Sequence, residues 1–239
     1  MQYTDLRILY EDNQIIVAEK PQNVPSALDS SGDPDMLSLV KEYVKVKYNK
    51  PGNVFIGLVH RLDRPTGGVM VFARTSKAAE RLSACIRDGN FDKRYYAVVM
   101  GVPRLRSERI THYLLKDEVT NTTSVVPQLT AGAKAAELQY SVVETAETAL
   151  VKMSLADIRL ETGRSHQIRV QMSALGNPVF GDSRYGGAKT PKGNLALWSY
   201  QLKFPHPVTK TIMSFRATPP LDETPWKLFK SLEAHFNIL

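Results

Sequence analysis

A single cysteine, Cys85, occurs in 239 residues. One thiol can form no internal disulfide and no thiolate cluster, which excludes a disulfide-stapled secreted domain and a cysteine-built zinc site and fits a reducing, cytoplasmic setting. No apolar run approaches the ~18 residues needed to cross a bilayer. The start, Met1 to Arg7, has neither the basic beginning nor the apolar stretch of a signal peptide. Secretion, anchoring and membrane contact are therefore not expected. Repeats, low-complexity tracts and long Pro/Gly/Ser linkers are also missing, so one domain over residues 1–239 is the simplest organisation. Acid is scarcer than base: 24 Asp+Glu stand against 31 Lys+Arg, a formal net charge of +7. A basic surplus suits a polyanionic partner, because Lys and Arg that neutralise phosphates release counterions, although metabolic enzymes share this mild charge. With 43% hydrophobic and 23% charged residues the composition is that of a globular chain with a sizeable core.

Short strands alternate irregularly with a few amphipathic helices. Strands are expected at Gln14 to Lys20, Phe55 to Val59, Val69 to Ala73, Lys93 to Gly101, Arg109 to Leu115, Ala133 to Glu144, Leu150 to Glu161, Leu195 to Phe204 and Thr211 to Ala217. The stretch Gln22 to Asp35, with Pro25, Gly32 and Pro34, reads as a flexible loop. Helices are expected at Met36 to Tyr48, from an N-cap at Ser76 to Arg87, at Ser165 to Leu175, and at Pro225 to Phe236. In Lys93 to Gly101 both alternating sets, Tyr95, Ala97, Val99 and Tyr96, Val98, Met100, are apolar or aromatic, which predicts a central strand buried on both faces. Few strands are joined through helices, so the fold class is α+β: a single domain with a mixed, mostly antiparallel central sheet flanked by helices.

Two polar segments carry chemistry. The turn His60-Arg61-Leu62-Asp63-Arg64-Pro65-Thr66-Gly67-Gly68 sets a carboxylate between two guanidinium groups and between two apolar strands; nearby Arg favours an ionised Asp63 that can act as nucleophile, base or ion-pair partner. Asp and Pro before Gly-Gly also make an ordinary surface turn. The segment Leu160 to Arg169 gathers donors where a strand passes into a helix, and Arg164 adds charge there. With Ile168 and Met172 toward the core, Arg169 projects about 100° from Ile168 and could reach a carboxylate on a neighbouring loop. A capped, solvated helix start fits the same residues. Ser165-His166 lacks the second glycine of a nucleophile elbow, His60, Asp63 and His166 lack the spacings of catalytic zinc, and Gly67-Gly68 precedes a strand, so hydrolase, metal and nucleotide-cofactor readings find no support.

Together these segments resemble the RluA-type family of RNA pseudouridine synthases. The resemblance rests on His60 to Gly68, on Lys93-Arg94-Tyr95-Tyr96-Ala97-Val98-Val99-Met100-Gly101, on Thr162-Gly163-Arg164-Ser165-His166-Gln167-Ile168-Arg169-Val170, and on Gly176 to Asp182 with Tyr185-Gly186. It runs in family order from the strand before Lys20-Pro21 to Phe204-Pro205-His206-Pro207. It implies that Asp63 is the catalytic aspartate, that Tyr95 packs beside the target uracil and takes part in proton transfer, and that Arg169 pairs with the catalytic aspartate. Arg61 matches the arginine that fills the gap left by the extruded nucleotide, and Arg64, Arg164 and His166 are further RNA-binding candidates. The implied reaction cuts the N1 to C1′ bond of a uridine in RNA, turns the uracil and joins C5 to C1′. It needs no cofactor, metal or nucleotide.

The implied partner is structured rRNA or tRNA, and the protein is expected to be a monomer. Three departures stand out: Thr66-Gly67-Gly68 replaces the usual Thr-Ser-Gly, Gln171 stands where His is frequent, and Asn23 stands where Gly is usual, though Asn tolerates a left-handed backbone. The chain leaves no room for the N-terminal S4-type RNA-binding domain of many relatives. A non-enzymatic RNA-binding protein on the same fold is disfavoured by the intact Asp63, Tyr95 and Arg169. A glycosidase would need paired carboxylates, whereas Asp63 has arginine neighbours in sequence.

Overall fold

The computed structural model describes residues 1–236, Lys189 by its backbone alone. Its strands are β1 (Arg7–Glu11), β2 (Ile15–Lys20), β3 (Gly57–Leu58), β4 (Gly67–Ala73), β5 (Asp92–Met100), β6 (Ser107–Asp117), β7 (Thr122–Val126), β8 (Lys134–Glu147), β9 (Lys152–Leu160), β10 (Leu197–Pro205) and β11 (Ile212–Arg216). Its α-helices are α1 (Met36–Lys47), α2 (Ser76–Arg87), α3 (Gln167–Ala174) and α4 (Lys230–Phe236). The class is α+β, as the sequence predicts. The contacts gather into two compact units, one of residues 1–92 and 199–217, the other of residues 93–198 and 218–239.

In the first unit the strand order is β1, β2, β4, β10, with β3 beside β4 and β11 beside β10. β2 and β4 are apolar on both faces, and Ile15, Val17, Val69, Val71 and Ala73 close a core with Ala78 and Leu82 of α2, Phe91, Leu202 and Phe204. Burying each such aliphatic side chain is worth about 1.5–3 kcal/mol, which makes this ladder a stiff support. Its antiparallel register sets Lys20 opposite Gly68, so the end of β2 lies against the turn that feeds β4. Gly68 has φ +119°, and a Cβ there would lie 2.2 Å from the Ser199 carbonyl oxygen; only glycine fits. The Asp12 carboxylate accepts the Gln14 and Ile15 N–H groups at 2.7 and 2.8 Å and meets His206 Nε2 at 2.9 Å, fastening the end of β10 to the start of β2.

The second unit carries the antiparallel order β5, β9, β8, β6, β7. Tyr95 to Met100 are all buried, so β5 is covered on both faces as predicted. Its other edge bonds to residues 178–180 and Ala196, through Val98 N to Ala196 O at 3.0 Å and Phe180 N to Val98 O at 2.8 Å. α3 turns Ile168, Val170 and Met172 inward, and Val170 packs on Leu114 and Ala136 with Tyr185. The Glu144 carboxylate accepts Ser231 N and Oγ at 2.9 and 2.7 Å, which holds the start of α4.

Several local expectations shift. The cap of α2 is Thr75, whose hydroxyl accepts Ala78 N at 3.0 Å, and not Ser76. β1 and β7 escape sequence reading because each is five residues long with polar residues at alternate or flanking positions; tertiary pairing makes them strands. The expected helix at Ser165 begins only at Gln167, because His166 takes a left-handed backbone, φ 53°. Asn23 does adopt the left-handed conformation inferred for it, φ 66°.

Candidate active site

In the first unit the segment Lys20 to Ser26 holds the Asp63 turn by its backbone. Lys20, fully buried, donates from Nζ to the carbonyl oxygens of Pro21, Arg64 and Thr66 at 3.0, 2.9 and 2.7 Å. Gln22 Nε2 donates to Pro65 O at 3.0 Å, and Ser26 Oγ donates to Leu62 O at 2.7 Å while accepting Leu62 N at 3.1 Å. Thr66 N closes the turn onto Asp63 O at 2.9 Å. The backbone on both sides of Asp63 is thereby fixed, and the half-buried side chain is presented from a rigid loop. His60 braces the same strand pair by accepting Val71 N at Nε2, 3.1 Å, and its ring lies 5.6 Å from Phe91. Burial pushes the Lys20 ammonium down to about 7, opposed by the negative charge of Asp63 and reinforced by the positive charge of Arg64.

Lys20 went without a role in sequence reasoning; the only signal was its place before Pro21 at the end of an apolar strand. Replacing it with Met leaves two carbonyls of the turn, Arg64 and Thr66, and that of Pro21 without their donor. We expect Lys20→Met to lose roughly 2–4 kcal/mol in denaturant unfolding and to lower kcat more than RNA affinity. Unchanged stability and turnover would show that the clamp is dispensable.

Arg61 is exposed and makes no hydrogen bond or ion pair among the described residues. The Arg64 guanidinium pairs with Asp33, approaches Asp29 at 3.5 Å, donates to Ser31 Oγ at 2.9 Å and reaches Asn23 O at 3.1 Å. Two carboxylates match its charge, and through them Arg64 ties the loop before α1 to the Asp63 turn.

In the second unit Tyr95 is buried on β5 opposite Ile158. Arg169, also buried, grips Asp182 through a two-pronged pair, Nε to Oδ2 at 2.8 Å and Nη2 to Oδ1 at 2.7 Å, and its guanidinium carbon lies 5.1 Å from the centre of the Tyr185 ring. Asp182 Oδ1 accepts Arg184 N and Tyr185 N as well, each at 3.0 Å. Burial works to raise the Asp182 carboxyl, but the Arg169 hydrogen bonds and charge and the two N–H groups hold it below the usual range. Asp182 is the residue that sequence reasoning left without a function; its signal lay in Gly181-Asp182-x-x-Tyr185-Gly186, where Gly181, φ +74°, cannot carry a Cβ because Asn194 O would lie 2.3 Å away. His166 Nδ1 meets Tyr185 Oη at 2.6 Å, and that hydroxyl also accepts Thr123 N at 3.0 Å. Arg164 is exposed and donates from Nε to Ala135 O at 2.9 Å.

The chain thus carries a rigidly presented aspartate and a separately built, buried arginine–aspartate pair on an α+β scaffold; among the described residues no cluster of three or more His, Cys, Asp or Glu is placed to hold a metal. The fold is that of solved pseudouridylate synthase domains. It matches human RNA pseudouridylate synthase domain containing 1 with a TM-score of 0.75 at 22% identity, covering 100% of this chain and 96% of that one. Human RNA pseudouridylate synthase domain containing 4 matches with a TM-score of 0.73 at 22% identity, over 90% and 88%. The RNA pseudouridylate synthase family model matches residues 14–174. Among curated relatives, the uncharacterized RNA pseudouridine synthase YjbO of Bacillus subtilis is 35% identical over 91% of this chain and 74% of its own length. Ribosomal large subunit pseudouridine synthase D of Zymomonas mobilis is 32% identical over 91% and 70%. The chain belongs to the RluA-type family of RNA pseudouridine synthases and is an isomerase acting on RNA.

Proposed function

We propose that this enzyme converts specific uridines of large-subunit rRNA to pseudouridine, with Asp63 as the catalytic carboxylate. The observation that supports the role of Asp63 is the clamp on its turn: Lys20, Gln22 and Ser26 engage the carbonyls of residues 62, 64, 65 and 66 and preorganise the loop that carries the carboxylate. Tyr95 takes the proton-transfer role and Arg169 the cationic partner role that the family resemblance assigns. Extrusion of the target base costs a few kcal/mol, which contacts from exposed cations such as Arg61 and Arg164 help to offset. The choice of rRNA rests on relatives that are named for the large ribosomal subunit.

Tritium release from RNA labelled at uridine C5 tests this reading. Wild-type enzyme is expected to release tritium from large-subunit rRNA and none from bulk tRNA. Release from tRNA alone would overturn the substrate, and release from neither would overturn the function.

A further inference from the structure

Lys93 is a buried cation with nothing to pair with. It opens the matched segment on β5, two residues before Tyr95 and on the same face of the strand, and it is only 9% exposed. Among the described residues its ammonium makes no hydrogen bond and has no carboxylate within ion-pair distance. Contrast Lys20, fully buried, whose three donors all meet carbonyl oxygens. The carboxylate whose charge acts on Lys93 is Glu161, which Arg159 already approaches at 3.7 Å. Its side chain is largely covered while the unpaired ammonium keeps contact with solvent, so an incoming anion can reach it and complete it.

The surroundings indicate what that ligand is. Lys93 Nζ lies beside Gly163: a Cβ on that residue would stand 3.3 Å from the nitrogen, and beyond its two chain neighbours no other residue comes within 4 Å of the position. A side chain at 163 would therefore crowd the ammonium, and glycine leaves bare backbone through which a ligand can come close. The next residue, Arg164, is exposed and adds a second positive charge at the same turn, with its Nε spent on Ala135 O. Two cations around an uncovered glycine suit an anion, and the anion that an RNA-modifying enzyme meets in every substrate is the phosphodiester.

We propose that Lys93, with Gly163 and Arg164, forms a phosphate seat that takes one backbone phosphodiester of the substrate RNA near the nucleotide served by Tyr95. Two residues along a strand span about 7 Å, so a phosphate on Lys93 fixes the strand close to the target base. The inference rests on the RNA reading above. Burial also pushes the Lys93 ammonium below its ordinary value, and a seated phosphate would reverse that direction.

The test compares wild type, Lys93→Met and Lys93→Arg on C5-tritiated large-subunit rRNA, measuring affinity across a salt series, kcat, and thermal unfolding. Met matches the length of Lys without its charge. Lys93→Met is expected to bind roughly tenfold more weakly, with the slope of log affinity against log salt shallower by about 0.7–0.9, and to melt about 2–4 °C higher. Its kcat at saturating RNA is expected to stay near wild type, and Lys93→Arg is expected to restore the slope. An unchanged salt slope in Lys93→Met would overturn the seat, as would a fall in kcat with affinity intact, which would move Lys93 into proton transfer. Wild type without tritium release sinks the enzyme reading, whereas active wild type beside an indistinguishable Lys93→Met sinks this inference alone.

Discussion

Asp63→Asn is expected to lose tritium release by a factor on the order of 10⁴ or more while the protein stays folded and still binds RNA. The two side chains have the same shape, but a carboxamide carries no negative charge and neither attacks carbon nor accepts a proton at neutral pH. The turn is held through its main chain, where Thr66 N bonds to the main-chain oxygen of Asp63 and Lys20 bonds to those of Arg64 and Thr66, and the substitution leaves all three bonds in place. Circular dichroism and the melting temperature should therefore match wild type. Residual release within tenfold of wild type would remove Asp63 from the chemistry, and an unfolded variant would mean that the carboxylate is part of the scaffold.

The second large effect concerns Asp182. Asp182→Ala removes both carboxylate oxygens that Arg169, 6% exposed, holds through Nε and Nη2, and breaking a buried pair from one side typically costs about 3–5 kcal/mol. We expect a loss of that size in equilibrium unfolding, together with a collapse of activity, since Arg169 then loses the partner that sets its plane. Removing both charges in Asp182→Ala/Arg169→Met should cost less stability than the two single changes summed, and strict additivity would show that the pair is not coupled. The pH dependence has a definite sign. The folded Asp182 pKa lies below its ordinary value of 3.8, so the pair's contribution is complete above that value and fades as pH falls through the lower, folded pKa. Asp182→Asn should lack that part of the acid limb; an acid transition identical to wild type would argue against the linkage.

Much of the fold was legible along the chain. The unbroken apolar runs Ile15 to Ala18 and Val69 to Ala73 and the doubly apolar Tyr95 to Met100 become buried strands, because both faces of a strand covered by other elements need apolar residues at every position. α1 and α2 follow their helical spacing to within a residue. What failed were elements too short for a period to show, such as β1 and β7, and the first turn of α3, where the left-handed His166 delays the helix.

The site divides along a similar line. Sequence alone determined which chemical groups are present and in what local setting: an aspartate in a proline- and glycine-bounded turn, a tyrosine on a buried strand, arginines around a helix start. It did so because turn, strand and helix preferences act over a few residues. Tertiary structure alone decided what each charge is for. Lys20 meets Thr66 across 46 residues, Arg64 meets Asp33 across 31, and Arg169 meets Asp182 across 13. A long charged side chain reaches whatever acceptor the fold brings within hydrogen-bond distance, so its partner follows from packing and not from its neighbours in sequence; Arg64 is thereby a loop tie, Arg169 half of a buried pair, and Lys93 a cation left for a ligand.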